Sequence, residues 1–189
     1  KAILLCSPNN PSGNSFHRAD ILSLLKSFDG LVVVDEAYVD FSTQKSLVTE
    51  LPYYPNLIIT QTLSKAYGLA GIRLGFCMSS EEIINILNKI KPPYNINSLT
   101  QERAISALDD WDVAPEQITQ LIAERKRLFT QLETISFVEK VYPSDANFLL
   151  VRVDDADKRY TQLIQNDIVV RNRSKQVGCE NCLRFSVGT

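Results

Sequence analysis

One lysine, Lys65, stands between an apolar run at residues 57–60 and three closely spaced glycines, Gly68, Gly71 and Gly75, in the stretch T-Q-T-L-S-K-A-Y-G-L-A-G-I-R-L-G at residues 60–75. Lysine ordinarily keeps its ammonium in water, because desolvating the charge is costly. An amine drawn toward a buried strand is suited instead to attack a carbonyl or to carry a proton. The glycines let other groups approach the backbone closely. Arg73 follows Lys65 in the same stretch, and its planar guanidinium can bind an anion through two hydrogen bonds. Asp35 follows a second apolar run, Tyr38 comes shortly after it, and Asn10 lies in S-P-N-N-P-S-G at residues 7–13. Together these positions offer an amine, a carboxylate, a phenol and an amide. Each also has a plainer description: a glycine-rich surface turn for Lys65, a turn-capping carboxylate for Asp35, a core phenol for Tyr38, an Asn-Pro turn for Asn10, and a surface ion pair for Arg73.

The elements that must position these residues are legible as hydrophobic patterns. Three short continuous apolar runs, at residues 2–6, 31–34 and 57–60, read as strands buried on both faces. Residues 19–26 between the first two are amphipathic at helical spacing, and strands alternating with helices imply a largely parallel α/β sheet. A fourth run at 72–78 follows too soon for a helical crossover and is expected to be antiparallel. Residues 81–90 read as a helix stopped by Pro92 and Pro93. A second helix over 101–108 is expected to be capped by Thr100. A long helix over 115–135 begins at Asp112 or just after it, with Pro115 in its first turn. Beyond it come strands at 137–142 and 147–153, a helix near 160–166, and strands at 168–171 and 183–187. That tail reads as a small α+β domain. In open α/β sheets, ligands bind beyond the carboxyl ends of the strands, and Asn10, Asp35 and Lys65 all fall at such ends.

The chain has 189 residues, 44% hydrophobic and 22% charged, with a formal net charge of -2. The near-neutral balance argues against nucleic acid or an acidic membrane surface as the main partner. The apolar runs are too short to span a bilayer, no secretory pattern opens the chain, and the cytoplasm is the default location. Cys6 and Cys77 lie in apolar runs and are expected to be small buried hydrophobes. Cys179 and Cys182 form a lone C-x-x-C. A structural zinc site normally needs a second pair or histidines, and the one histidine, His17, reads as a surface residue at a helix start. No metal is expected.

Two other motifs point to different chemistry. Residues 31–36, four apolar residues followed by Asp35 and Glu36, match the magnesium-binding strand of a P-loop NTPase, but these 189 residues lack G-x-x-x-x-G-K-[ST]. Ser42-Thr43-Gln44-Lys45 fits the S-x-x-K pattern of certain serine hydrolases. Its companion S-D-N and K-T-G motifs are absent, so that match is accidental.

As a set, S-P-N-N-P-S-G at 7–13, Asp35 with Tyr38, and Ser64-Lys65 with Arg73 resemble the fold-type I aminotransferases that use pyridoxal phosphate. Within them the likeness is strongest to the histidinol-phosphate aminotransferases. N-F-L-L at 147–150, V-R-N at 170–172, and C-L-R at 182–184 through V-G-T at 187–189 extend the likeness over the whole chain. The resemblance implies an α/β fold of the pyridoxal-phosphate-dependent transferase fold type I. It further implies that residues 1–112 are the second half of the large cofactor-binding domain, with a mixed, mostly parallel sheet. Residues 113–189 would be the connecting helix and a small C-terminal α+β domain.

The resemblance also implies roles. Lys65 forms a Schiff base with the cofactor aldehyde and moves the substrate proton. Asp35 pairs with the pyridine nitrogen, where asparagine would supply no charge. Asn10 and Tyr38 bond the ring 3-oxygen, and Arg73 with Thr62 and Ser64 holds the phosphate. Arg184 anchors the acid group of the substrate, and Arg171 is a second candidate there against a solvated surface arginine. The implied reaction joins small amino and keto substrates, histidinol phosphate and 2-oxoglutarate, in a homodimer. A threonine-phosphate decarboxylase and a non-catalytic cofactor-binding module share these motifs. A member of the family is about twice this long, so this piece alone is expected to be inactive and prone to self-associate.

Overall fold

The computed structural model describes residues 1–109 and 113–188. Its first sheet has the strand order β1 (Ala2–Cys6), β2 (Leu31–Asp35), β3 (Leu57–Thr62), β4 (Gly75–Ser79). The first three strands are parallel and β4 runs antiparallel to β3, as its early arrival in the sequence predicts. Helix α1 (Arg18–Ser27) crosses between β1 and β2 and lays Ile21 and Leu25 on Val32, Val34, Leu57 and Ile59. Fully burying a side chain of this size contributes about 1.5–3 kcal/mol, so this cluster fixes the sheet.

Burial on both faces is not what the structure has for β1. It is an edge strand, and its outward residues Leu4 and Cys6 are exposed, with Leu4 at 75%. Among the described residues nothing covers that side. Cys77 is only partly buried, so neither cysteine expected in the core lies there, and the buried pair is Cys179 and Cys182.

Helix α2 (Glu81–Ile90) has the limits expected from its sequence pattern and the double proline that follows. Helix α3 (Ser98–Asp109) starts earlier than expected, because the cap is Asn97. Its side chain accepts from the Thr100 N–H at 2.9 Å, and the Thr100 hydroxyl donates instead to the Ile72 carbonyl. Helix α4 (Val113–Leu132) is the long helix. Its expected start at Asp112, and the domain boundary expected after residue 112, lie outside the described residues.

The second sheet is antiparallel throughout, in the order β5 (Val138–Val141), β6 (Phe148–Val153), β8 (Cys182–Ser186), β7 (Arg171–Asn172). Helix α5 (Ala156–Ile164) is capped by Asp155, whose carboxylate accepts from the Lys158 N–H. The strand expected over 168–171 shrinks to Arg171–Asn172. Asp167 takes a left-handed turn, and the Ile168 N–H closes α5 by bonding the Leu163 carbonyl, so it is not free for a ladder. Alternation along β6 and β8 sends Leu149, Val151, Val153 and Leu183 into a core with Leu132 and Ala156. The opposite face carries Phe148, Leu150, Cys182 and Arg184. That face meets the first sheet.

Candidate active site

The register of the parallel strands brings the chemistry-bearing residues to one edge. Cys6 pairs with Asp35, and Asp35 with Thr60, so the segments leaving β1, β2 and β3 emerge side by side. One Asp35 oxygen accepts from the Ala37 N–H at 3.1 Å, and the Cys6 sulfur lies 4.0 Å from the other. The chain then turns so that Tyr38 is buried, its ring edge-on to Phe148 of the small sheet, with centroids 5.3 Å apart. The Lys65 Nζ lies 5.2 Å from the Tyr38 ring centroid. Among the described residues Lys65 has no carboxylate within ion-pair distance. An amine against an aromatic face, partly removed from water, is a different chemical object from a solvated surface lysine.

The loop between β1 and α1 carries Asn10. Gly13 N–H donates to the Asn9 carbonyl at 2.7 Å and Asn9 N–H to the Asn14 carbonyl at 2.8 Å, closing the loop. The Gly13 carbonyl accepts from Asp145 N–H at 2.7 Å, tying the loop to the segment before β6. On top of this joint, Arg184 donates to the Asn10 side-chain oxygen at 2.7 Å, while its guanidinium lies 4.9 Å from the Phe148 ring centroid. Burial holds the Arg184 pKa below the usual arginine range. Arg173 pushes it in the same direction, Tyr38 opposes, and Arg171 adds to the lowering.

Asn10, Tyr38, Lys65 and Arg184 are therefore joined by contacts around the end of β2, where Asp35 sits. Thr62 and Ser64 form a separate hydroxyl pair at 2.9 Å, and Thr62 also donates to the Leu74 carbonyl. Arg73 is exposed in a left-handed conformation with φ 57 and donates to the Ala70 carbonyl of its own turn. No contact joins it to Lys65 among the described residues. A non-glycine residue in this region marks a local strain that tends to accompany function. Arg171 is exposed on β7, directly across from Arg184. His17 is exposed at the start of α1.

Sequence reading missed three residues that build the site. Phe148 is the shared surface for Tyr38 and Arg184, and nothing short of the fold relates it to Tyr38. Arg125, buried on α4, donates to the carbonyls of Phe41 at 3.2 Å and Ala146 at 2.6 Å, clamping the loop after Tyr38 to the strand bearing Phe148. Its pKa is lowered by burial, against the attraction of Asp145. Glu36 is buried and accepts from Leu47 N–H, the Ser46 hydroxyl and the Gln61 amide. It organises the 42–47 loop, and its carboxylate is saturated by those donors.

A mostly parallel sheet, with an antiparallel sheet packed against its strand ends and an amine, an acid and a phenol between, is the fold-type I arrangement of pyridoxal-phosphate-dependent transferases. The chain belongs to the family described as aminotransferase class I and II, which it matches over residues 1–189. It is 60% identical to the histidinol-phosphate aminotransferase of Flavobacterium johnsoniae, over all of this chain and 54% of that protein. The chain thus spans about half the length of the curated relatives it matches. Among solved structures it is similar to the histidinol-phosphate aminotransferase from Clostridium acetobutylicum, with a TM-score of 0.91 at 29% identity over 98% of this chain and 58% of that one. The histidinol-phosphate aminotransferase from Sinorhizobium meliloti, solved in complex with pyridoxal-5'-phosphate, gives 0.86 at 26% identity, covering 98% and 52%. The L-threonine-O-3-phosphate decarboxylase from Porphyromonas gingivalis gives 0.87 at 27% identity, covering 100% and 59%.

Proposed function

We propose that this chain supplies the lysine-bearing part of a pyridoxal-phosphate-dependent aminotransferase that exchanges an amino group between L-histidinol phosphate and 2-oxoglutarate. The observation that carries the reading is Lys65: an amine without an acidic partner among the described residues, against the buried Tyr38 ring, beside the strand end that bears Asp35. The donor set fits the cofactor. Asp35 keeps one oxygen clear of backbone hydrogen bonds for a ring nitrogen, and the Thr62–Ser64 hydroxyls and Arg73 are donors for a phosphate. Asn10 and Tyr38 are the groups for a ring oxygen.

When bound, the cofactor supplies an aldehyde that captures amines covalently and a protonated ring that spreads the negative charge left by loss of the substrate α-proton. Lys65 takes that proton as a base and returns it as an acid. Tyr38 limits where its amine can travel. Asp35 keeps a proton at the ring nitrogen through its negative charge. Arg184 binds the acid group of the incoming substrate, and its Asn10 bond sets the direction in which the guanidinium points. The names of the relatives support the histidinol-phosphate substrate. Large exposed apolar residues such as Tyr94 and Leu99 support assembly as a homodimer. The cytoplasm is the proposed location.

The test is borohydride trapping of full-length protein with pyridoxal phosphate, followed by peptide mapping. A reduced adduct on Lys65, with turnover of imidazole-acetol phosphate and glutamate, is the expected result. Likeness to the decarboxylase favours a second reading, in which threonine phosphate releases carbon dioxide. Carbon dioxide release without transamination would replace the first reading by that one. Absence of a selective Lys65 adduct would remove both.

A further inference from the structure

The C-x-x-C at 179–182 takes no part in the proposed reaction, yet the fold gives it a specific setting. Cys182 opens β8 and is fully buried, and Cys179 is 6% exposed. Both are free thiols in one buried cluster with Leu150, packed against Tyr142. The Cys182 N–H donates to the Cys179 carbonyl at 3.0 Å, and Asn181 takes the left-handed conformation with φ 54, which asparagine accepts at small cost. A hydrogen-bonded turn of this kind holds its first and last Cα atoms within about 7 Å, which covers the range a disulfide can bridge. A charge for the sulfur is also in place. Arg152 stands directly opposite Cys182 in the β6–β8 ladder, and its Nε is buried without a hydrogen-bond partner. The Cys182 thiol donates its own hydrogen to the Glu180 carbonyl at 3.5 Å, which leaves the sulfur lone pairs for Arg152. Burial raises the Cys182 pKa, Arg152 opposes, and Cys179 and Glu180 add to the rise. Cys179 lies on the more open side. Val177, Gly178 and Glu180 around it are exposed, and a Cβ built on Gly178 meets nothing within 4 Å.

We infer that Cys179 and Cys182 are a dithiol modification site, which a small-molecule disulfide converts to an intramolecular disulfide. The Cys179 sulfur loses its proton, bonds one sulfur of the small disulfide and expels the other as a thiolate. The Cys182 sulfur then loses its proton, bonds the Cys179 sulfur and expels the second thiolate. Two protein thiols are oxidised, one small disulfide is reduced to two thiols, and the protons pass to the leaving sulfurs. Arg152 stabilises the Cys182 thiolate in the second step. Arrangement rather than acidity favours the bond, because the turn has already brought the two residues together. This chemistry is independent of the aminotransferase reading.

In the experiment, full-length protein is equilibrated with glutathione buffers of rising oxidised-to-reduced ratio, alkylated, and mapped by mass without reduction. The peptide holding residues 179–182 is expected to lose two hydrogens and escape alkylation. It should do so at a ratio about 10-fold lower than the one that adds glutathione to Cys6 or Cys77. Cys182→Ser should stop Cys179 at the mixed disulfide with glutathione. Arg152→Gln should slow conversion of that mixed disulfide about 10-fold, and Arg152→Lys should restore part of the rate. The wild-type map decides the site without recourse to any variant: both thiols alkylated at every ratio, or a bond that forms only in urea, would overturn it. Closure at the wild-type rate in Arg152→Gln would overturn the part given to Arg152.

Discussion

Substituting Gly13 by alanine tests whether the Asn10 loop and the small sheet are joined as described. Gly13 has φ +80, and a Cβ built on it falls 2.7 Å from the Ser144 Cβ and closer still to its hydroxyl oxygen. The left-handed conformation costs an L-residue about 1–2 kcal/mol, and forcing a methyl into occupied space adds about 1–3 kcal/mol. Gly13→Ala is therefore expected to destabilise by about 2–5 kcal/mol. The parts separate in a cycle with Ser144→Gly, which removes both contacting side-chain atoms. The coupling energy should recover the steric part, about 1–3 kcal/mol, and leave the conformational part. Urea unfolding of the four full-length proteins, followed by circular dichroism, measures each. A coupling near zero would refute the close approach. A total loss below about 1 kcal/mol would refute both parts of the argument.

Three further outcomes follow from single contacts. Arg125→Leu leaves the Phe41 and Ala146 carbonyls without their donor and should destabilise by about 2–4 kcal/mol; unfolding within 1 kcal/mol of wild type (roughly the value of one ordinary hydrogen bond) would contradict the clamp. Tyr38→Phe keeps the ring against Phe148 and removes a hydroxyl that makes no hydrogen bond among the described residues, so stability should move by less than about 0.5 kcal/mol, while turnover of the full-length protein falls about 10-fold; a large stability loss would show that the phenol is structural. The bond from Arg159 lowers the Asp154 pKa from 3.8 to about 2, so the pair stabilises the folded state fully above the ordinary carboxylate pKa and loses that effect as pH falls toward 2. The midpoint difference between wild type and Asp154→Asn should accordingly shrink through that window, and a difference independent of pH would refute the assignment.

Much of this was readable in the residues, for physical reasons that also mark the limits. The double proline at 92 and 93 confines α2 so tightly that its C-terminal end follows from local chemistry. The short gap before β4 leaves no room for a crossover, so its antiparallel direction follows too. The same local reasoning fails where two groups compete for one role: Asn97 and Thr100 can each cap a helix, and only the Ile72 carbonyl that draws off the Thr100 hydroxyl decides. A continuous apolar run cannot tell one covered face from two, and so Cys6 is exposed where the run predicts burial. Lys65, Asp35 and Asn10 were legible because strand ends converge by rule. Phe148 and Arg125 were not, because each acts through a partner far away in the chain.

The same contrast explains how the site divides its work. Arg184 is central in β8, with β6 on one side and β7 on the other, so two ladders fix its backbone and the Asn10 and Phe148 contacts fix its tip. A group that must select one substrate by the direction of an anion gains from such double support, since small displacements weaken hydrogen bonds steeply. Arg73 is the opposite case. It stands on a left-handed turn between Gly71 and Gly75, exposed and bonded only to its own turn among the described residues. A phosphate group of fixed identity tolerates such a donor, because several donors share its charge. In the proposed roles, the rigid arginine would serve where substrates must be told apart, and the exposed one where a single ligand recurs.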